Sequence, residues 1–128
     1  MSWYCREKPN ANHEYLCLVS TLTVTSHFFI PRMVIHSLAI ARQLRRSEGL
    51  AGFALRLDWR HKTFWTVSAW NSEADLTRFI YANPHGNAMV TLRPLIERSK
   101  FVRRTLFGSE LPVSWKFAES WIQVPGGF

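Results

Sequence analysis

Two kinds of hydrophobic periodicity alternate along this chain, and their order limits the folds that it can adopt. Tyr15–Thr25 alternates its side chains between two usable faces, which is typical of a strand covered on both sides. Pro31–Glu48 instead repeats its apolar residues at helical spacing. Pro31 suits the first turn of a helix, and Gly49 suits the position after its last turn. The pattern therefore predicts a strand followed by a long amphipathic helix.

The next segments predict a hairpin and a second helix. Ala51–Trp59 and Thr63–Trp70 each alternate with a period of two residues, and a short polar turn separates them. Asn71-Ser72-Glu73 is an N-cap signal for a helix over Ala74–Tyr81, and Asn83-Pro84 ends that helix. A further helical stretch over His85–Lys100, kinked or divided at Pro94, and a last strand over Pro112–Val124 complete the prediction, with Phe101–Gly108 left unassigned.

The predicted order β-α-β-β-α-β is the split βαβ arrangement, an α+β fold with one antiparallel four-stranded sheet and helices on one face. Residues 1–14 are expected to form an irregular arm, residues 15–124 one domain, and residues 125–128 a tail. The second sheet face would then expose large apolar side chains to water. Burial against a second copy is the simplest remedy, so the sequence predicts a homodimer.

Amino-acid composition limits the kinds of ligand and binding partner that the chain is expected to have. The net charge of +7 across 128 residues favours anionic ligands, and the excess of arginine over lysine favours planar anions. The two cysteines, Cys5 and Cys17, form no zinc or disulfide pattern, and no run is long enough to span a membrane. A cytoplasmic protein is expected. Motifs of nucleotide-binding proteins, zinc proteases and serine hydrolases are absent from the sequence.

One stretch carries a family resemblance. Thr66–Met89 places a strand ending in Trp before an Asn/Ser-Glu helix start, followed by a break with a His and a short apolar helix. Together with the first strand, helix and hairpin, it resembles the antibiotic-biosynthesis-type monooxygenases of the dimeric α+β barrel (ferredoxin-like) superfamily. The resemblance covers roughly residues 15–122. It implies a pocket between sheet and helices that binds polycyclic aromatics, quinols or heme.

The heme-degrading branch of that superfamily carries an Asn on the first strand, a Trp in the second helix and a His ten residues later. The corresponding positions here hold Ser20, Phe79 and Met89. All three positions differ, so this chain lacks the side chains that the heme-degrading branch uses for that reaction. The cofactor prediction is therefore heme or none.

His85 is the main candidate for chemistry, because it follows Asn83-Pro84 at a predicted helix start. Such a position lowers the pKa of a nearby imidazole and favours its neutral form, which is either a proton acceptor or, if heme binds, an iron ligand. A structural role at that corner is the alternative. Arg42 is predicted to hold an anionic group, although arginine clusters of this kind are more often solvated faces. The expected pocket walls are Leu22, Phe53, Trp65, Trp70, Phe79 and Met89.

The other histidines are weaker candidates. His27 is expected near a pocket mouth, His36 on the solvated side of the helix, His61 in a turn and His13 in the arm. A second cluster of arginines, Arg98, Arg103 and Arg104, is a candidate for part of an anion-binding rim.

Three functions follow from these observations. The first is a monooxygenase-like enzyme acting on an aromatic or polycyclic small molecule, with heme as a candidate cofactor. The second is a non-catalytic dimeric domain that binds heme or an apolar ligand. Nucleic-acid binding is disfavoured, because the aromatic residues lie at positions predicted to be buried.

Overall fold

The computed structural model describes residues 3–123. Its strands and helices are β1 (Tyr4–Cys5), β2 (Glu14–Val24), α1 (Ile30–Arg45), β3 (Leu50–Asp58), β4 (Thr63–Trp70), α2 (Glu73–Tyr81), α3 (His85–Leu92), β5 (Ile96–Phe107) and α4 (Trp115–Gln123). Single turns of 3₁₀ helix occupy His27–Phe29, Arg93–Leu95 and Gly108–Glu110. Within residues 3–123, no helix is both long and apolar enough to cross a lipid bilayer.

The sheet is antiparallel and has five strands rather than the four predicted, in the order β1-β3-β4-β2-β5. The additional strand comes from the arm, which was expected to be irregular, because Tyr4 and Cys5 pair with Phe53 and Gly52. The arm lies close to β3 here: a Cβ atom on Gly52 would come within 2.4 Å of the indole Nε1 of Trp3. Only glycine allows that approach.

Strand register divides the sheet into two apolar faces. Leu18 of β2 lies opposite Ser68 of β4, and Leu22 opposite Phe64, on the face covered by α1, α2 and α3. The intervening residue Val19 lies opposite Val67 and points to the other face. Because successive side chains of a strand alternate, β2 contributes to both faces, as its sequence predicted.

The second face is covered by the chain itself. Trp121 and Ala118 of α4 are buried in one cluster with Cys17, Val19 and Val67 of the sheet. The prediction that helices lie on one face is therefore wrong. The homodimer was inferred from an uncovered apolar face, and α4 removes that reason for it.

The guanidinium group of Arg56 lies between two indole rings and links α4 to the sheet. The guanidinium carbon of Arg56 on β3 lies 4.8 Å from the ring centre of Trp65 and 4.8 Å from that of Trp115. Its Nη2 lies 2.8 Å from Oε1 of Glu119. The side chain of Arg56 thus makes two cation–π contacts and one ion pair. The contacts with Trp115 and Glu119 join β3 to α4, and the contact with Trp65 joins β3 to β4.

The predicted last strand over Pro112–Val124 is wrong, because α4 occupies this segment. Its buried residues Ala118, Trp121 and Ile122 follow helical spacing, which the alternation of larger side chains obscured in the sequence. Ser114 accepts a hydrogen bond from the backbone N–H of Phe117 at 3.1 Å, the contact of a helix N-cap. Val124 and the predicted tail, 125–128, lie outside the described residues.

The helix predicted over His85–Lys100 is correct only in its first half. Helix α3 ends at Leu92, Pro94 lies in the 3₁₀ turn, and β5 begins at Ile96. Strand β5 is an edge strand that pairs with the full length of β2, and most of its residues are exposed. An exposed edge strand needs no apolar alternation, so its sequence showed no strand periodicity.

We expect Trp121→Ala to lower the free energy of unfolding by about 3–5 kcal/mol, because the ring is 1% exposed and its removal leaves a cavity in the second face. Phe117→Ala is the matched control on α4, since that ring is 39% exposed, and it should cost about 1 kcal/mol. Urea denaturation followed by fluorescence measures both. Equal, small losses for the two variants would mean that α4 is not docked in solution.

Candidate functional site

A partly enclosed cavity of about 260 Å³ lies between the first face of the sheet and helices α1, α2 and α3. Apolar side chains line most of it. From the sheet these include Leu18, Leu22, Leu55, Phe64 and Phe101, and from the helices Met33, Ile40, Leu44, Leu76, Phe79, Ile80, Met89 and Leu92. A few hydroxyl groups, two imidazoles and one guanidinium also line it. A small apolar cavity with few polar groups is the usual form of a small-molecule site.

His85 contributes one of these imidazoles. As the first residue of α3, it places Nδ1 2.9 Å from the backbone oxygen of Ile80. A carbonyl only accepts, so Nδ1 carries the proton, and in the neutral ring Nε2 is left with a free lone pair. Within residues 3–123, no hydrogen-bond partner of Nε2 is found. His85 therefore offers the cavity a proton acceptor.

Burial keeps this imidazole neutral. The pKa of His85 is lowered below its ordinary value of 6.5, chiefly because burial penalises the charged ring. The hydrogen bond to Ile80 acts in the opposite direction and only partly offsets that effect. The sequence had predicted the direction of this shift from the helix start, whereas the main cause is loss of solvent. A neutral imidazole near pH 7 is suited to accept a proton.

Aromatic side chains of the core pack against the ring of His85. Its ring centre lies 4.9 Å from that of Phe79, which in turn lies 5.2 Å from Trp70. Trp70 is fully buried, and its indole donates a hydrogen bond to Ser68 Oγ at 2.9 Å. The three rings connect the imidazole to the sheet, so its orientation is held by the packed core.

A cation stands beside the cavity. Arg103 of β5 lines it, and its Nη1 lies 3.4 Å from Oε1 of Glu73 at the start of α2. Both side chains are largely exposed, so this ion pair is weak and readily exchanged for another anion. Together with Phe101 on the same strand, Arg103 can contact the part of a ligand that projects toward solvent.

The structure brings together half of the predicted site. Leu22, Phe79, His85 and Met89 line the cavity. Their roles in binding and catalysis stay predictions.

The other four predicted residues lie elsewhere. Phe53 and Trp70 are fully buried in the core beneath the cavity, so they support its walls without forming them. Trp65 follows Phe64 directly in β4, so its side chain points to the opposite face of the sheet, where it packs on Arg56. Arg42 lines a second, open groove between the C-terminal half of α1 and α2, so the cationic side chain at the cavity is Arg103.

Several cavity residues were not predicted to form its walls. Phe101 and Arg103 could not be placed, because β5 gave no strand signal. Ser20 and Thr66 face the cavity because they are partners in the β2–β4 register, which the alternation of both strands already implied. His36 was expected to be solvated, yet it lines the cavity from α1.

The remaining histidines lie outside the cavity. His27 Nε2 lies 2.9 Å from the backbone oxygen of Trp59, and His61 Nδ1 lies 2.8 Å from Asp58 Oδ2. His13 packs against Tyr15 with ring centres 4.7 Å apart. These contacts account for all three side chains structurally.

Heme does not fit this cavity. Pockets for drug-sized ligands begin at roughly 300 Å³, and a porphyrin is at least that large, whereas the cavity holds about 260 Å³. The volume and the apolar walls suit an organic ligand of one or two rings.

Solved structures share this fold. A putative antibiotic biosynthesis monooxygenase from Nitrosomonas europaea superposes with a TM-score of 0.63 at 13% identity, covering 70% of this chain and 95% of that one. A Pseudomonas aeruginosa protein gives a TM-score of 0.63 at 20% identity, covering 77% and 96%. SnoaB, a cofactor-independent oxygenase from Streptomyces nogalater, gives 0.59 at 16%, covering 72% and 92%.

No protein-family model matches the sequence, and no curated protein matches it. The superpositions on solved structures confirm, at the level of the fold, the resemblance to the antibiotic-biosynthesis-type monooxygenases. This chain has the ferredoxin-like α+β architecture of those proteins, with a fifth strand and with helices on both faces of its sheet.

Proposed function

We propose that this protein is a monooxygenase-like enzyme that oxidises a one- or two-ring phenolic compound with molecular oxygen and without a cofactor. The observation that carries the proposal is His85, a half-buried imidazole that lines the apolar cavity, donates from Nδ1 to Ile80 and has no partner at Nε2 among residues 3–123. SnoaB, a protein of the same fold, is a cofactor-independent oxygenase, which supports this choice over heme chemistry.

The reaction needs a base and a dry site. Nε2 of His85 would take the proton of a phenol, and the resulting phenolate is electron-rich enough to transfer electrons to O2. For a hydroxynaphthalene, one oxygen atom enters the ring to give a naphthoquinone, and the other leaves as water with two substrate hydrogens. The substrate supplies all the electrons, so no external reductant is required. Apolar walls favour this step because O2 enters them readily and water is excluded.

Cavity size and charge narrow the substrate further. The volume of about 260 Å³ favours one or two fused rings over the larger polycyclic compounds considered from sequence. Arg103 beside the cavity favours an anionic substituent, because it can leave its exposed partner Glu73 for a ligand carboxylate. A bicyclic hydroxy acid such as 1-hydroxy-2-naphthoate combines these features and serves as a probe.

The alternative is a domain that binds such a ligand without changing it. Ser20, Phe79 and Met89 stand where the heme-degrading branch of the superfamily has its functional side chains, and all three line the cavity. A cavity with hydroxyl, aromatic and thioether groups at these positions can bind an apolar ligand. Recovery of unmodified probe from the saturated protein after prolonged incubation in air would support this alternative.

We expect His85→Gln to lower the turnover of 1-hydroxy-2-naphthoate by about 10²–10⁴-fold, because a glutamine cannot accept the phenol proton. The measurement is oxygen consumption together with product mass under ¹⁸O2. His27→Gln is the matched control, since His27 contacts Trp59 outside the cavity, and it should leave turnover unchanged. Full turnover in His85→Gln would exclude His85 as the base.

Activity should depend on pH through His85. The base acts only when neutral, so turnover should fall as the pH falls through a pKa that lies below 6.5 and stay level above it. Stability follows the same direction. The unfolded chain takes up this proton first, so acidification below about pH 6.5 should destabilise the fold. Profiles of turnover and of urea midpoint against pH measure both effects. A turnover limb centred above 6.5 would contradict the assignment.

A homodimer stays a prediction, but it would need a different surface, because α4 covers the second sheet face. Large apolar side chains are exposed around the start of α1: Phe28, Ile35, Leu38 and Trp59. We expect sedimentation equilibrium to show a dimer that Leu38→Glu dissociates and Phe117→Glu on α4 does not. A single-copy particle at all concentrations would rule the homodimer out.

A further inference from the structure

Gln43 of α1 makes three hydrogen bonds around His85. Its Oε1 accepts from the backbone N–H of His85 at 2.8 Å. Its Nε2 donates to the backbone oxygens of Phe79 at 3.2 Å and Ala82 at 3.1 Å. The orientation of the amide follows from chemistry, because an N–H requires an acceptor and two carbonyls require donors. Both donors and one acceptor of a single side chain are thus used at one place.

One of these contacts pairs a helix N–H, and the other two add a second donor to carbonyl groups. The backbone oxygen of Phe79 also accepts from the N–H of Ala82, and that of Ala82 from the N–H of Gly86, whereas the N–H of His85 is paired by Gln43. Helix α3 begins at His85 without a side-chain cap, because Pro84 has no suitable group. Gln43 contacts both helix ends from a third helix, and each contact joins residues at least 36 positions apart in sequence.

The same side chain separates two spaces. Gln43 lines the open groove between α1 and α2, whereas its neighbours on the same helix, Ile40 and Leu44, line the cavity. Movement of the α2–α3 corner away from α1 would open the cavity to the groove beside His85. The hydrogen bonds of Gln43 oppose that movement.

We propose that Gln43 is a positioning residue for His85: by fixing the α2–α3 corner against α1, it holds the imidazole in its hydrogen bond to Ile80 and keeps it away from water. The proposal rests on the proposed role of His85 as the base. Gln43 lies behind the backbone of His85 and does not contact the ligand space. Its effect is therefore on the orientation and protonation of the imidazole.

The ionisation of His85 reports this role directly. The other charged or titratable side chains on the cavity are His36 of α1 and Arg103 of β5, and Gln43 contacts neither. A loosened corner admits water, and water removes the burial that lowers the pKa of His85. The freed Nδ1 would also lose its fixed proton, because Ile80 would no longer be its sole partner.

The test compares Gln43→Leu with the full-length parent protein by ¹⁵N NMR titration of its histidines. We expect the pKa of His85 to move up toward its ordinary value and the ring to become a mixture of two tautomers. The acid limb of the turnover profile should move with it, and kcat for 1-hydroxy-2-naphthoate should fall roughly 10- to 100-fold. Arg42→Ala changes the neighbouring residue on the exposed side of α1. It should leave the pKa and tautomer of His85 and the turnover of the probe unchanged.

Gln43→Glu provides a second variant of the same shape. It keeps the acceptor for the His85 N–H but places an oxygen against the carbonyls of Phe79 and Ala82, so it should shift the pKa of His85 upward as well. Either folded variant with an unchanged pKa and a single Nδ1–H tautomer overturns the proposal. If the parent protein turns over no probe, the enzymatic proposal fails separately, since the NMR readout needs no substrate.

Discussion

The central strand β2 is the constraint on which the rest of the structure depends. It pairs with β4 on one side and β5 on the other, and its side chains are buried on both faces. Each residue of β2 is therefore committed to one apolar layer, and a shift of one residue would exchange the layers. The even positions face α1, α2 and α3, and the odd positions face α4. The cavity and the α4 cluster are consequences of one register.

The candidate site combines an apolar space with one neutral base. Burial lowers the pKa of His85, and the contact with Ile80 decides which of its nitrogens carries the proton. The ring chain through Phe79 and Trp70 fixes its plane. None of these effects alone would define a site, because buried histidines and stacked rings are common in cores. Their convergence on the wall of an otherwise apolar cavity is what favours proton transfer there.

The sequence predicted the first two thirds of the fold well, because there local pattern and tertiary burial agree. Thr63–Trp70 was predicted with its observed bounds, and Ser72 caps α2 as expected, accepting from the N–H of Asp75. The last third failed for two physical reasons. Strand β5 lies at an exposed edge, where its partner β2 rather than its own side chains defines it. Helix α4 carries aromatic residues at three odd-numbered positions, Trp115, Phe117 and Trp121, so a strand-like alternation and a helical spacing coincide in one short segment.

The site was only half predictable for related reasons. Leu22 and Phe79 could be placed because their elements were correctly assigned, whereas Arg103 lies on the strand that was missed. Arg42 was assigned to the pocket from its place at the edge of the apolar helix face, and Trp65 from the family resemblance and the excess of aromatic residues. The directions of the two side chains place them elsewhere. The contacts of Gln43 had no sequence signal at all, because they join residues 36 to 42 positions apart.

The covering of the second face by α4 has a consequence for how the fold responds to dilution. A sheet that depends on a twin loses its hydrophobic layer whenever the subunits separate, so its folding is tied to protein concentration. Here Trp121 and Arg56 close that layer within a single chain. The cavity beside His85 is thus backed by a sheet whose integrity is intramolecular, and the site can exist in an isolated molecule.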